Sequence, residues 1–253
     1  MNKQFQHWLN GFVEAEGNFQ TNKKPRYNKA GLLTGYGIGY SFHMGMSLID
    51  AELVNLIRAN LGNIGTLHHY PNKSLSGEAH FAITRRADLV KFLAMLTEDH
   101  PLITAYQTMR MGLVLHGINN GIKSVSTLEQ YTQFTQSILL QPVDLTNIDK
   151  TYFSNWLVGF FNSKAHFSLR GTFSLEHTDR ALLEYIASFL SLREGAVRDV
   201  AVRPGRLPTY VLDLQHPIEV QVIVKFLEHN QPFKGHKLSQ YTQWKKDIGW
   251  GGP

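Results

Sequence analysis

The sequence predicts an α+β chain made of two copies of one αββαββα unit related by a pseudo-two-fold axis. Three observations carry that expectation. First, Trp8-Leu9-Asn10-Gly11-Phe12 and the residues to Phe19 align with Trp156-Leu157-Val158-Gly159-Phe160 and the residues to Phe167, at a constant offset of 148 (156 minus 8). Second, Val90-Lys91-Phe92-Leu93 followed by Pro101-Leu102 is echoed, in the same order, by Val224-Lys225-Phe226-Leu227 followed by Pro232-Phe233. Third, each copy alternates helical and strand-like periodicity in the same sequence of elements. A repeat of this length is two copies of a domain, not an array of short units.

The first copy opens with apolar residues at helical spacing from Phe5 to Ala15, and Gly17, which tolerates positive φ, is placed to stop that helix. Strands are predicted over Asn18 to Asn22 and Gly35 to Met46, with Lys23-Lys24-Pro25-Arg26 and Gly31 forming the turn between them. A helix over Ile49 to Leu61 ends at Gly62. Strands at Ile64 to Tyr70 and Glu78 to Thr84 follow, then helices at Ala87 to Leu96 and Thr104 to His116. In the second copy the order runs through Phe153 to Ser163, His166 to Glu176, Arg180 to Leu192, Val197 to Leu214, Glu219 to Glu228 and Leu238 to Asp247. The expected domains are residues 1–117 and 151–253, joined by a structured linker, 118–150, with a helix near Ser126 to Leu140. Gly11 with Ala15, and Gly159 with Ser163, put two small residues on one face of each first helix, so these helices are expected to pack on one another.

Composition narrows the function. The chain is 43% hydrophobic and 18% charged, which excludes disorder and collagen, and no apolar stretch approaches the length of a bilayer span. With no cysteine, disulfides, thiolate zinc sites and cysteine nucleophiles are excluded. Twenty-five Lys and Arg against twenty Asp and Glu favour a polyanionic partner. His68 and His69 lack zinc-ligand spacing, Gly35-Tyr36-Gly37-Ile38-Gly39 reads as a strand and not a phosphate loop, and Trp156, Phe160, Phe161 and Phe167 read as core.

Leu9-Asn10-Gly11-Phe12-Val13-Glu14-Ala15-Glu16-Gly17, its weaker second version from Leu157, and the segment Pro232-Phe233-Lys234-Gly235-His236-Lys237 together resemble the LAGLIDADG homing endonucleases and maturases. The likeness is to the single-chain, two-motif type of mitochondrial group I introns. It covers nearly the whole chain, and it implies four-stranded antiparallel sheets forming a basic saddle over nucleic acid. In that family the acidic residue at the eighth motif position of each copy holds divalent metal. The first copy supplies Glu16, but the second supplies Lys164. An ammonium in place of a carboxylate removes an oxygen ligand and repels Mg²⁺, and it suits the negative end of a helix dipole. The family's lysine after Gly-His is retained as Lys237, while its first-copy counterpart is Tyr106. No active catalytic residue and no cofactor are therefore expected; Mg²⁺ at Glu16 belongs to the rival endonuclease reading.

Candidate nucleic-acid contacts are Lys23, Lys24, Arg26 and Lys29 in the first hairpin, and Arg85 and Arg86, which equally suit a helix entry. The second copy offers Arg170 in a shortened hairpin, Arg193, Arg198, Arg203 and Arg206 around the turn at Pro204-Gly205, and Lys234 and Lys237. Lys245 and Lys246 read as solvated. The leading expectation is a nucleic-acid-binding protein that has lost double-strand cleavage and binds structured RNA, as a maturase-like cofactor or as part of an organellar ribonucleoprotein with other proteins, such as the mitochondrial ribosome. The rivals are a Mg²⁺-dependent DNA endonuclease or nickase using Glu16, and a non-catalytic DNA-binding regulator. No membrane partner is expected. Met1 lies a few residues before the first motif, leaving no room for a transit peptide, which fits synthesis inside a mitochondrion or a plastid, with the resemblance favouring the mitochondrion.

Overall fold

The computed structural model describes residues 1–201, 205, 207–230 and 232–250. Contacts divide the chain into two compact units, Glu16–Val143 on one hand and Met1–Ala15 with Asp144–Pro253 on the other. The first motif helix therefore packs with the second copy.

In the unit Glu16–Val143, β1 (Gly17–Tyr27), β2 (Leu33–Ser47), β4 (Glu78–Ile83) and β3 (Thr66–Tyr70) form an antiparallel sheet in the order β1-β2-β4-β3. Strand alternation sends Phe19, Phe42, Met44, Phe81 and Ile83 to one face, where all are buried. Helices α2 (Ala51–Asn60), α3 (Arg86–Thr97) and α4 (Ala105–Asn119) cover that face, with Phe92 of α3 4.6 Å from Phe42, ring centroid to centroid. The opposite face carries Asn18, Gln20, Asn22, Lys24 and Arg26 of β1, then Gly37, Gly39, Ser41, His43 and Gly45 of β2, His80 of β4 and His68 of β3.

Three expectations change here. The basic segment Lys23 to Arg26 is not a turn: β1 continues through it to Tyr27, and the turn is Asn28 to Leu32, with Gly31 at φ 75°. Pro25 is accommodated because β1 is an edge strand, where a missing N–H breaks no central ladder. Gly17 does not end α1 (Lys3–Glu16) through positive φ; it opens β1, paired with Met44. Finally, β5 (Ser124–Val125) pairs with β2 at Tyr36 and Gly37, so the stretch after α4 extends the first sheet. The helix expected there is the shorter α5 (Leu128–Thr135).

These contacts steady the long hairpin. The β2–β4 ladder covers only Phe42 to Ser47, so the β1–β2 segment beyond it is an arm whose one further strand partner is the two-residue β5 at Tyr36 and Gly37. Tyr131 Oη of α5 donates to the Thr21 carbonyl at 2.9 Å, and Tyr40 Oη donates to the Ile122 carbonyl at 2.7 Å. Burial pushes the Tyr40 phenol up to about 12, which keeps it a donor.

In the other unit, α6 (Lys150–Lys164) is capped by Asp149, whose carboxylate accepts from Tyr152 N at 2.7 Å. β6 (Ala165–Phe167), β7 (Phe173–His177), β9 (Tyr210–Leu214) and β8 (Val197–Asp199) form an antiparallel sheet in the order β6-β7-β9-β8. Helices α7 (Arg180–Phe189), α8 (Pro217–His229) and α9 (His236–Asp247) complete the repeat. Trp156, Phe160 and Phe161 are fully buried, and Phe167 packs 4.8 Å from Trp244, so the aromatic stripe is core as expected. β6 and β7 span three and five residues against eleven and fifteen in β1 and β2, and their turn is the tight Ser168 to Thr172.

The helix pair α1–α6 is reciprocal. A Cβ on Gly11 would lie 1.8 Å from the Trp156 carbonyl oxygen, and one on Gly159 would lie 1.8 Å from that of Trp8. The two contacts interchange under the offset of 148, which is the signature of a local two-fold relation (156 minus 8; 159 minus 11). Gly11 and Gly159 thus make the expected backbone approach, while Ala15 and Ser163 lie one turn beyond it, half-buried.

Candidate nucleic-acid interface and motif-helix ends

At the helix pair the two-fold relation is broken by chemistry. Trp156 Nε1 donates to Glu14 Oε1 at 2.8 Å, a buried carboxylate in the last turns of α1. The counterpart of Glu14 is Asn162 (14 plus 148), which instead brackets Lys234: its Nδ2 donates to the Lys234 carbonyl at 3.2 Å and its Oδ1 accepts from Lys234 N at 2.6 Å. Trp8 Nε1 is buried with no hydrogen-bond acceptor among the described residues. The Lys234 ammonium instead lies 5.3 Å from the centre of the Trp8 ring and 5.6 Å from that of Phe5, and burial pulls its pKa below the usual lysine value. Lys234 is therefore a half-buried packing residue, not a cation presented to a ligand.

Each motif helix ends five residues past its glycine (16 minus 11; 164 minus 159), α1 at Glu16 and α6 at Lys164. The Lys164 charge faces the carbonyl end of α6, where the macrodipole favours a cation. Burial lowers the pKa of nearby His177; Asp179 opposes this and Lys164 adds to it. Lys237 Nζ donates to the Ala165 carbonyl at 2.8 Å, just past the end of α6. In the first copy the corresponding carbonyl, Gly17, accepts from Gln107 Nε2 at 2.6 Å. Tyr106 stands at the same place in its helix as Lys237 but is exposed, its hydroxyl accepting from Arg110 Nη1 at 2.9 Å. The functional counterpart of Lys237 by contact is Gln107, which alignment on the prolines does not reveal because the side chain acts one residue further along α4.

Divalent metal needs about six oxygens, shared carboxylates foremost. Glu16 contributes one carboxylate and Lys164 contributes none. The residues present do not fit the two-carboxylate metal centre that the resemblance implies.

The basic residues divide by strand register. Lys24 and Arg26 share the face away from the helices, flanked by Gly37 and Gly39, whose missing side chains leave the strand surface bare. Lys23 points to the other face, its ammonium 4.8 Å from the centre of the Tyr131 ring and 5.9 Å from that of Tyr36. It clamps α5 and does not join the other two. Lys29 is exposed in the turn. Arg85 precedes α3 and is exposed, whereas Arg86 donates through Nη2 to the Ile118 carbonyl near the end of α4, a structural tie. In the other unit Arg170 is exposed at the β6–β7 turn. Arg193 is paired with Glu219 at 2.9 Å and Arg198 with Asp213 at 2.6 Å, so both are partly neutralised. Arg203, Arg206 and the turn at Pro204 lie outside the described residues. Lys245 pairs with Glu228 at 3.1 Å.

The sequence reading missed one feature of the first sheet's polar face. The rings of His43 and His80 lie 5.3 Å apart across β2 and β4, tilted by 32°, with His68 opposite His80 on β3. Burial lowers the pKa of both His43 and His80; His80 depresses His43 further, and Lys73 and His68 depress His80 against the opposing pull of Glu78. Strand register was the signal that brings them together, and it depends on pairing that the sequence left open. Among the described residues no helix is long and apolar enough to cross a membrane.

Comparison with known proteins agrees with this architecture. Residues 9–108 match the LAGLIDADG endonuclease family. A probable intron-encoded endonuclease of Schizosaccharomyces pombe, Cox1-I1b, is 23% identical over 96% of this chain, and the chain spans 64% of that relative's length. The I-LtrWI homing endonuclease bound to its target DNA superposes with a TM-score of 0.75 at 19% identity, covering 98% of this chain and 90% of that one. The I-CpaMI meganuclease bound to uncleaved DNA gives 0.70 at 18% identity, covering 95% and 90%. Two motif helices in reciprocal contact, a sheet in each copy and a family match over residues 9–108 show that this chain has the LAGLIDADG endonuclease fold, with the family match confined to its first copy.

Proposed function

We propose that this LAGLIDADG protein binds nucleic acid without cutting both strands, and that its ligand is a structured RNA of a mitochondrion, held as a maturase-like cofactor or within a ribonucleoprotein. The observation that carries the reading is Lys164, a cation at the end of the second motif helix. Coordination of Mg²⁺ by shared carboxylates has no second acid to draw on there. Three further features support it. Lys237 spends its ammonium on a backbone carbonyl. The second sheet's first hairpin is short, which limits reading of base edges on that side. The first sheet keeps an intact polar face with Lys24 and Arg26, sufficient for phosphate contact and shape recognition. The mitochondrial assignment draws on the intron-encoded relative.

A second reading, a Mg²⁺-dependent DNA nickase, draws on Glu16 and on the DNA-bound state of the proteins that share the fold. One set of measurements decides. Purified protein is incubated with supercoiled plasmid and Mg²⁺ or Mn²⁺, and its affinities for a folded group I intron RNA and for duplex DNA of equal length are compared at one salt concentration. The proposal expects intact plasmid, tighter RNA binding and no effect of Glu16→Gln on either. Metal-dependent nicking or linearisation that Glu16→Gln abolishes would establish the enzyme reading. Tighter binding to one DNA duplex, with no cutting, would establish the DNA regulator.

A further inference from the structure

The arm made by β1 and β2 ends in an apolar tip set among cations. Tyr27, Leu32 and Leu33 are 62%, 65% and 51% exposed, and Tyr27 pairs with Leu33 across the last rung of the ladder. Isolated exposed apolar side chains need no explanation, but three together at the end of a projecting hairpin do. An open edge of this kind is an aggregation liability unless it has a use. The tip is also pre-shaped. Asn28 Oδ1 accepts from Ala30 N and Leu32 N, both at 2.9 Å, Asn28 N donates to the Leu32 carbonyl at 2.9 Å, and Thr34 Oγ1 donates to the Arg26 carbonyl at 3.0 Å. Contact surface held in one conformation before binding loses little entropy on docking. Behind it, Lys24 and Arg26 share one face, and Lys29 sits within the turn. Among the described residues of this hairpin, 17–47, no acidic residue occurs.

We propose that this tip is a wedge for unpaired bases: the Tyr27 ring stacks on an unstacked base, Leu32 and Leu33 fill the space beside it, and Lys24, Arg26 and Lys29 hold the flanking phosphates. The chemistry favours nucleic acid over a protein partner because the cations of the same hairpin, Lys24, Arg26 and Lys29, complement a polyanion, and every base offers a π-face to an aromatic ring. The inference rests on the nucleic-acid-binding reading above and adds which segment touches bases and in what state.

The two parts of the contact separate by salt. Phosphate contacts set the slope of log affinity against log salt, about −0.7 per contact on a single strand, whereas stacking sets the affinity that remains when the line is extrapolated to high salt. The test uses a stem–loop RNA with 2-aminopurine in the loop, and the full chain as Tyr27→Ser/Leu32→Ser/Leu33→Ser and as Lys24→Ala/Arg26→Ala/Lys29→Ala. Since all three apolar residues are exposed, the first variant is expected to melt like the parent. It should bind roughly ten- to a hundredfold more weakly at every salt concentration with the slope unchanged, and should lose the 2-aminopurine fluorescence change. The second variant should flatten the slope by about two units and keep the fluorescence change at low salt. A tip variant with parental affinity and fluorescence overturns the wedge. A tip variant that instead abolishes self-association or co-purification of a protein assigns the patch to a protein contact and also overturns it. Failure of the parent to bind any nucleic acid is a separate result, which removes the functional reading itself.

Discussion

Replacing Gly11 with alanine tests the close backbone approach of α1 and α6. The added Cβ would meet the Trp156 carbonyl oxygen at 1.8 Å, its carbon at 2.7 Å and Phe160 N at 2.9 Å, all backbone atoms. No rotamer change relieves a backbone clash, so reaching an ordinary contact of 3.4 Å requires the helices to part by about 1.6 Å at the crossing (3.4 minus 1.8). A radial gap of even 0.5–1 Å forfeits about a quarter to a half of each dispersion contact across it. The side chains flanking this crossing, Trp8, Phe12, Trp156 and Phe160, are fully buried. Overpacking costs about 1–3 kcal/mol at sites where side chains can adjust, and more where they cannot. Against this, alanine gains about 1 kcal/mol over glycine in a helix interior. We expect a net loss of about 2–4 kcal/mol for Gly11→Ala. Gly159→Ala should cost the same, because its Cβ would meet the Trp8 carbonyl at the same distance. One separation of the helices relieves both clashes, so the double variant should cost clearly less than the sum. Urea denaturation followed by far-ultraviolet circular dichroism gives these values, with Gly112→Ala as the control. There the added Cβ meets only Ile138 Cγ2, at 3.4 Å, and stability should rise or hold. A Gly11→Ala protein within about 0.5 kcal/mol of the parent would refute the reciprocal helix contact.

Trp156→Phe and Trp8→Phe remove the same atoms from pseudo-equivalent sites, but only Trp156 Nε1 has the Glu14 carboxylate to bond, so the first should destabilise by about 1.5–3 kcal/mol more in paired denaturation curves. Lys24→Ala/Arg26→Ala should weaken nucleic-acid binding and flatten its salt slope by about one to two units, whereas Lys23→Ala should cost about 0.5–1 kcal/mol of stability from its lost ring contact and leave the slope alone. His43, His80 and His177 all have folded-state pKa values below the ordinary histidine value, so the folded protein favours their neutral forms. Their contribution to stability is complete above about pH 6.5, where the unfolded chain is also neutral, and is lost as pH falls through the lower folded-state values. Melting temperature should therefore decline below about pH 6.5, and less steeply in His177→Gln.

The order of elements was legible in the sequence because it depends on local periodicity, and the repeat because two motifs recur at one offset. The helix contact at Gly11 and Gly159 was legible for the same reason: small residues at the same spacing in both copies, Gly with Ala and Gly with Ser, leave few other uses. Glu16 and Lys164 could be read directly, since a motif position names its residue and the residue names its charge. What a side chain faces is set by pairing, and pairing is tertiary. Lys23 and Lys24 are neighbours in the chain and look alike, yet the period of two sends one against Tyr131 and leaves the other on the polar face. Gln107 does the work of Lys237, and Arg86 ties two helices, because reach across space decides which side chain fills a carbonyl's need. The short sequence 124–125 becomes a strand only because β2 extends far enough to pair with it. The division into units, in which α1 leaves its own copy for the other, follows from a glycine contact between residues more than a hundred positions apart, and no local pattern encodes so distant a meeting.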